Sequence, residues 1–123
     1  MVFPEHLRYT AEHEWVRMDP DGRAVVGITE YARQQLGDIV FVELPQIGDT
    51  VAAGDTVATL ESVKAVSSVY SPLPGTIDNI NEELIDAPEL IDEDPYAAWI
   101  VKLSNVGEAK LLTAREYAEL VAQ

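Results

Sequence analysis

A chain of 123 residues has room for one real core, and an apolar fraction of 47% is too high for a disordered polymer. Its formal charge of −14, from 22 acidic and 8 basic side chains, repels phosphate backbones and anionic bilayers, so neither nucleic acid nor membrane is an expected partner; basic protein surfaces are. With no cysteine the chain has no disulfide, thiolate metal site or thiol nucleophile, and no apolar run is long enough to span a bilayer.

The first residues, "MVFPEHLRYT", lack a basic stretch followed by an apolar one, so a cytoplasmic protein is expected. An organelle-matrix protein stripped of a transit peptide would read the same way. From Tyr9 onward most segments are short, rich in Val, Ile and Thr, and punctuated by Gly, Pro and Asp. "EHEWVRM" and "RAVVGIT" flank "DPDG", which predicts a hairpin. Alternation along the first of these strands puts Glu12 and Glu14 on one face. "TEYARQQLG" is the first helix, capped by Thr29, with Glu30 at the positive end of its dipole and Gly37 as its stop. "DIVFVELP" is nearly all apolar and predicts a buried strand ended by Pro45.

"GDTV" then occurs twice, at residues 48–51 and 54–57. Each Gly-Asp makes a turn and each Val can point into the core. Two copies are too few for a solenoid, so they read as two turns of one β domain. "TVATLES" and "AVSSVYS" flank Val63, Lys64 and Ala65 as a second hairpin, closed by "SPLPG". "GTIDNIN" and "WIVKL" are further strands, with Trp99, Val101 and Leu103 on one face. Between them, "LIDAPELIDEDPY" reads as a proline-broken acidic connection with one helical turn and a solvated edge at "IDEDP". "LLTAREYAELVAQ" predicts an amphipathic helix with a Thr113–Glu116 capping box and Leu112, Tyr117, Leu120 and Val121 on one side. The expected architecture is a single, compact, mostly β domain over residues 1–123 with peripheral helices.

Most chemical candidates are weak. His6 and His13 lack metal-site spacing, "DPDG" lacks the ligands of a calcium loop, and "GDTVAAGDTV" lacks the Lys-Ser/Thr pair of a phosphate loop. With 22 carboxylates, neither a catalytic triad nor a glycosidase pair can be assigned to particular residues. Lys64 is different. It sits at the expected tip of a tight hairpin, between the small uncharged Val63 and Ala65, and the strands beside it carry few other cations. An exposed ammonium is a poor base at neutral pH, but it is well placed to be acylated by another enzyme. That is the logic of a swinging-arm carrier.

The stretch "GDTVAAGDTVATLESVKAVSSVYSPLPGTI" resembles the lipoyl and biotinyl carrier fold, a flattened β-barrel or sandwich. Biotin carriers have methionines beside the lysine, so Val63 and Ala65 fit lipoate better. "YTAEHEWVR", "VGITEYARQQLGDIVFVELPQIGD", "ESVKA" and "DAPELIDEDPYAAWIVKL" together resemble the glycine cleavage H-protein family over almost the whole chain. The resemblance implies lipoate in amide linkage to Lys64, with Glu61, Val63 and Ala65 as the context of the attachment turn. It implies a pyridoxal-phosphate glycine decarboxylase that loads an aminomethyl group and a folate-dependent aminomethyltransferase that removes it. A flavin dihydrolipoyl dehydrogenase and a lipoate ligase or lipoyl transferase complete the set, and the carrier is expected to be a monomer and not itself an enzyme. It also implies an acidic residue in a cleft that keeps the loaded amine protonated; Glu14 matches it, with Glu12 as a neighbour.

Two departures stand out against that resemblance. Ser67 is followed by Ser68 where many relatives have an acid, and "PYAAW" is one residue shorter than the usual form. Both point toward the alternative, an H-like lipoyl carrier or donor serving 2-oxoacid dehydrogenases or a lipoate relay. A helical phosphopantetheine carrier conflicts with the β pattern. An unmodified β interaction module predicts that Lys64→Arg changes only local charge.

Overall fold

The computed structural model describes residues 1–122; Gln123, the last residue of the predicted C-terminal segment, lies outside them. Thirteen elements follow in chain order: β1 (Arg8–Tyr9), β2 (Glu14–Met18), β3 (Ala24–Ile28), α1 (Glu30–Leu36), β4 (Ile39–Glu43), β5 (Thr50–Val51), β6 (Thr56–Ser62), β7 (Val66–Tyr70), β8 (Gly75–Ile80), α2 (Glu83–Asp86), α3 (Leu90–Glu93), β9 (Val101–Ser104) and α4 (Ala114–Val121). The strands form a six-stranded sheet in the order β1-β2-β3-β9-β8-β5 and a three-stranded sheet in the order β4-β6-β7, all pairs antiparallel. The sheets do not close into a barrel. The fold is mostly β, with short helices including the C-terminal one, as the sequence predicts.

The local signals translate directly. The Thr29 hydroxyl accepts from the Ala32 amide at the start of α1, and Gly37 ends that helix at a φ of 79°. Gly48 and Gly54 make the two repeat turns at φ values of 99° and 90°. Side chains of Asp49 and Asp55 accept backbone amides across those turns, from Gln46 and Ala52. The Thr113–Glu116 capping box of α4 is present.

The core has two parts. Val16, Ala24, Val26, Ile28, Leu60, Val69, Ile77, Val101 and Leu103 belong to the main cluster. Phe3, Leu7, Tyr9, Trp15, Val25 and Tyr117 form a second one on the opposite side of β2 and β3. This explains why β3 is buried at every position. It also limits Gly27. A Cβ there would lie 2.6 Å from the fully buried Trp15 ring, whose Nε1 donates to the Pro95 carbonyl at 3.0 Å. Gly27→Ala is therefore expected to cost about 1–3 kcal/mol, read as a lowered urea midpoint with an unchanged slope.

Several expectations are corrected. β4 is an edge strand of the small sheet, and Val40 and Phe41 are 54% and 47% exposed, so it is not uniformly buried. The acidic connection holds two helical turns, α2 and α3, rather than one. Its "IDEDP" is no simple solvated edge: Asp92 Oδ2 accepts from the Ile39 amide at 3.0 Å, and Asp94 accepts from the Tyr96 and Ala97 amides. Trp99 precedes β9 and packs with the second cluster, away from Val101 and Leu103. Leu120 is 40% exposed, because Tyr117 carries the buried face of α4.

Candidate functional site

The hairpin of β6 and β7 is built from β-branched and small side chains in the register Thr59↔Ser68, Leu60↔Ser67 and Glu61↔Val66. Its tip is a tight, hydroxyl-braced turn. Ser62 Oγ accepts from the Lys64 and Ala65 amides at 3.3 and 3.0 Å, and the Ser62 amide donates to the Ala65 carbonyl at 2.8 Å. The Val63 amide donates to the Asp38 carbonyl at 3.1 Å, which ties the tip to the loop after α1. Val63, Lys64 and Ala65 are exposed, as is Glu61 on the strand below. Among the described residues no ion pair holds Lys64. Its stem lies over Gly37, where a Cβ would be 3.5 Å from Lys64 Cε. Ser62→Ala should leave global stability within about 0.5 kcal/mol, because the turn is exposed, while amide hydrogen exchange at Lys64 and Ala65 speeds up.

An exposed amine without an ionic partner is free to be acylated. The exposed Val63 and Val66 beside it, and Val40 and Phe41 at the same end of β4, offer an apolar surround. The residues therefore suit an amide-linked arm with an aliphatic chain.

The other end of β7 meets a second constellation. Glu14 opens β2 and is only 2% exposed. Its Oε1 accepts from the Thr10 hydroxyl at 2.5 Å and its Oε2 from the Tyr70 amide at 3.2 Å. Burial pushes the Glu14 carboxyl above the ordinary range; the Thr10 and Tyr70 hydrogen bonds pull it back, and the Glu12 charge adds a little upward. Among the described residues no cation pairs with it. A cleft of about 240 Å³ is lined by Glu12, Gly54 and Tyr70; Glu14 is connected to it through the Tyr70 amide, from which its Oε2 accepts.

Glu12 and Glu14 do not share a strand face. Glu12 lies in the turn before β2, and His13 between them has a left-handed φ of 74°, so alternation stops there. Glu12 is exposed and lines the cleft from the turn, while Glu14 is buried and bonded to the backbone of its Tyr70 wall. Lys64 and Glu14 thus sit at opposite ends of β7, roughly 13 Å of strand apart.

The family model described as Glycine cleavage H-protein matches residues 7–123. The chain belongs to the glycine cleavage H-protein family. A glycine cleavage system H protein of Listeria monocytogenes serotype 4a is 51% identical over 125 residues, covering 98% of this chain and 99% of that one. One from Bacillus cytotoxicus is also 51% identical, over 127 residues, covering 100% and 99%. The crystal structure of a glycine cleavage system H protein from Mycobacterium marinum superposes with a TM-score of 0.92 at 41% identity, covering 98% of this chain and 100% of that one. H-protein membership makes the chain a carrier component of the glycine cleavage system.

Sequence reasoning missed Thr10, Tyr70 and Asp92. The first two reach Glu14 across a turn and across the sheets, and Asp92 fixes the Ile39 amide beside the Lys64 turn. A threonine four residues before a glutamate is too common a pattern to single out.

Proposed function

We propose that this H protein is a monomeric, single-domain lipoyl carrier in which Lys64 bears lipoate and the Glu14 cleft holds the amine of the glycine-derived cargo. The observation that supports this most strongly is the exposed, unpaired amine at the tip of a braced hairpin in a chain of this family. Lipoate in amide linkage supplies the sulfur that a cysteine-free chain lacks. Ser62 and Asp38 keep the turn in the shape that a lipoate ligase or lipoyl transferase must recognise, with Glu61, Val63 and Ala65 forming the surface around it.

Glu14 supplies a carboxylate with no cationic partner of its own, so an incoming ammonium is the group that balances it. A protonated amine has no lone pair with which to expel its sulfur, so that contact slows loss of the cargo. Glu12, at the rim, favours entry of a cation over an acyl group. The partners this implies are a pyridoxal-phosphate glycine decarboxylase, a folate-dependent aminomethyltransferase and a flavin dihydrolipoyl dehydrogenase. The charge of −14 suits basic docking surfaces on them. No described helix is long and apolar enough to cross a membrane, and we place the carrier in the cytoplasm.

The test is intact mass and peptide mapping after co-expression with a lipoate ligase and lipoate. A lipoyl adduct confined to the peptide containing Lys64 supports the carrier chemistry, and bicarbonate exchange with glycine decarboxylase then separates glycine cleavage from service to 2-oxoacid dehydrogenases. No adduct under conditions that modify a control lipoyl domain overturns the reading.

A further inference from the structure

The fold carries a C-terminal helix, and one of its side chains reaches His13, the residue between Glu12 and Glu14. Tyr117 is fully buried, stacked on Tyr9 at 4.9 Å and 8° and edge-on to Phe3 at 4.7 Å. A phenylalanine would fill that space equally well. The hydroxyl, however, lies 2.8 Å from His13 Nδ1 and 2.8 Å from Thr29 Oγ1. Thr29 Oγ1 already accepts from the Ala32 amide as the cap of α1. One arrangement satisfies all three groups: Thr29 donates to Tyr117, and Tyr117 donates to the lone pair of His13 Nδ1. It requires a neutral imidazole protonated on Nε2, and burial holds the His13 pKa below its ordinary value, against a small opposing pull from Glu12.

His13 is the residue on which the cleft geometry turns. Its φ of 74° costs energy for a side chain larger than glycine and persists only where the surroundings hold it. Its amide donates to the Thr10 carbonyl at 3.1 Å and its carbonyl accepts from the Thr29 amide at 3.0 Å. Its ring packs on Tyr31 at 4.7 Å and is fixed by Tyr117. Glu12 and Glu14 are its immediate neighbours, so a change in the His13 backbone moves both carboxylates at once.

We infer that Tyr117 is a positioning residue for the cargo cleft: through its hydroxyl, α4 holds His13 in the left-handed turn that sets Glu12 on the cleft and Glu14 against the Tyr70 amide. This rests on the reading of the cleft given above. The attachment turn at Lys64 lies beyond its reach, at the far end of β7.

The experiment uses the full-length chain as Tyr117→Phe, His13→Asn and Glu14→Gln, beside the parent. Asparagine tolerates a left-handed φ but cannot extend to Tyr117. Three quantities are measured: the rate of lipoate ligation, hydrogen exchange at the Glu14 and Tyr70 amides, and the half-life of cargo loaded from glycine, across pH. Tyr117→Phe and His13→Asn should leave ligation unchanged, speed exchange at those amides and shorten cargo lifetime by about three- to tenfold, the worth of one net hydrogen bond. Adding Glu14→Gln to Tyr117→Phe should shorten it no further than Glu14→Gln alone. Parental cargo lifetime in Tyr117→Phe, with a shortened one in Glu14→Gln, overturns the inference. So does a loss of ligation equal to the loss of retention, which marks a general fold defect. Parental lifetime in Glu14→Gln instead overturns the cleft reading itself.

Discussion

Lys64→Arg is expected to abolish modification of the chain completely while leaving its fold intact. The replacement keeps a cation of similar length at the same exposed tip, so surface charge and the Ser62-braced backbone are unchanged. A guanidinium stays protonated at any workable pH and is no substrate for amide formation. Intact mass should show no adduct, and every transfer assay that depends on the arm should read zero, while the unfolding midpoint shifts by less than about 0.5 kcal/mol. An adduct that persisted on another lysine would sink the assignment, since Lys102 and Lys110 are the chain's other two lysines.

The second large effect is at Glu14, where stability and function should move in opposite directions. Burial raises the folded pKa of this carboxyl, so between the unfolded and folded values the native state binds the proton and the unfolded state does not. The penalty is absent below the ordinary carboxylate range, grows as pH rises through the raised folded value, and is complete above it. Glu14→Gln removes that titration yet can still accept from the Tyr70 amide and bond Thr10. The variant should thus match or exceed the parent's stability at neutral pH, with the gap closing in acid, measured by urea unfolding across pH. Cargo lifetime on the arm should fall about tenfold or more, the worth of a charge-assisted hydrogen bond. A variant that lost stability at neutral pH and kept its cargo would reverse both assignments. A buried carboxylate with no cationic partner among the described residues marks a candidate functional acid.

What was legible in the sequence was local. Thr29 and Gly37 bound α1, Thr113 and Glu116 begin α4, and the "DPDG" and Val63-Lys64-Ala65 turns fall where the residue types put them, because each signal acts over a few neighbouring residues. The edge position of β4 was not legible. Val40 and Phe41 look like core in a chain, and only the pairing order β4-β6-β7 leaves them at an edge. Glu12 was misplaced for a related reason: alternation holds only inside a strand, and nothing in "AEHEW" announces the left-handed histidine that ends it. β1 and β5, two residues each, exist because a longer neighbour offers them an edge. Of the candidate site, the exposed place of Lys64 at a hairpin tip could be read from its neighbours, whereas the grip on Glu14 comes from Thr10 and from Tyr70, the latter 56 residues away.

The five residues of β7 also act as a ruler. One end is the turn that presents Lys64 and the other is the amide that holds Glu14, so in the proposed carrier the strand would fix how far a group tethered at Lys64 must fold back to reach Glu14. Strand pairing and the two-residue alternation of side chains let such a ruler change only in whole notches: removing one residue turns the side chains beyond it to the opposite face, and removing two from each strand of the hairpin shortens it by roughly 7 Å. On that proposal, an arm of fixed chemical length is matched to a hairpin of fixed count. A related carrier with a longer cargo tether would have to lengthen β6 and β7 together, or move its acid to another strand.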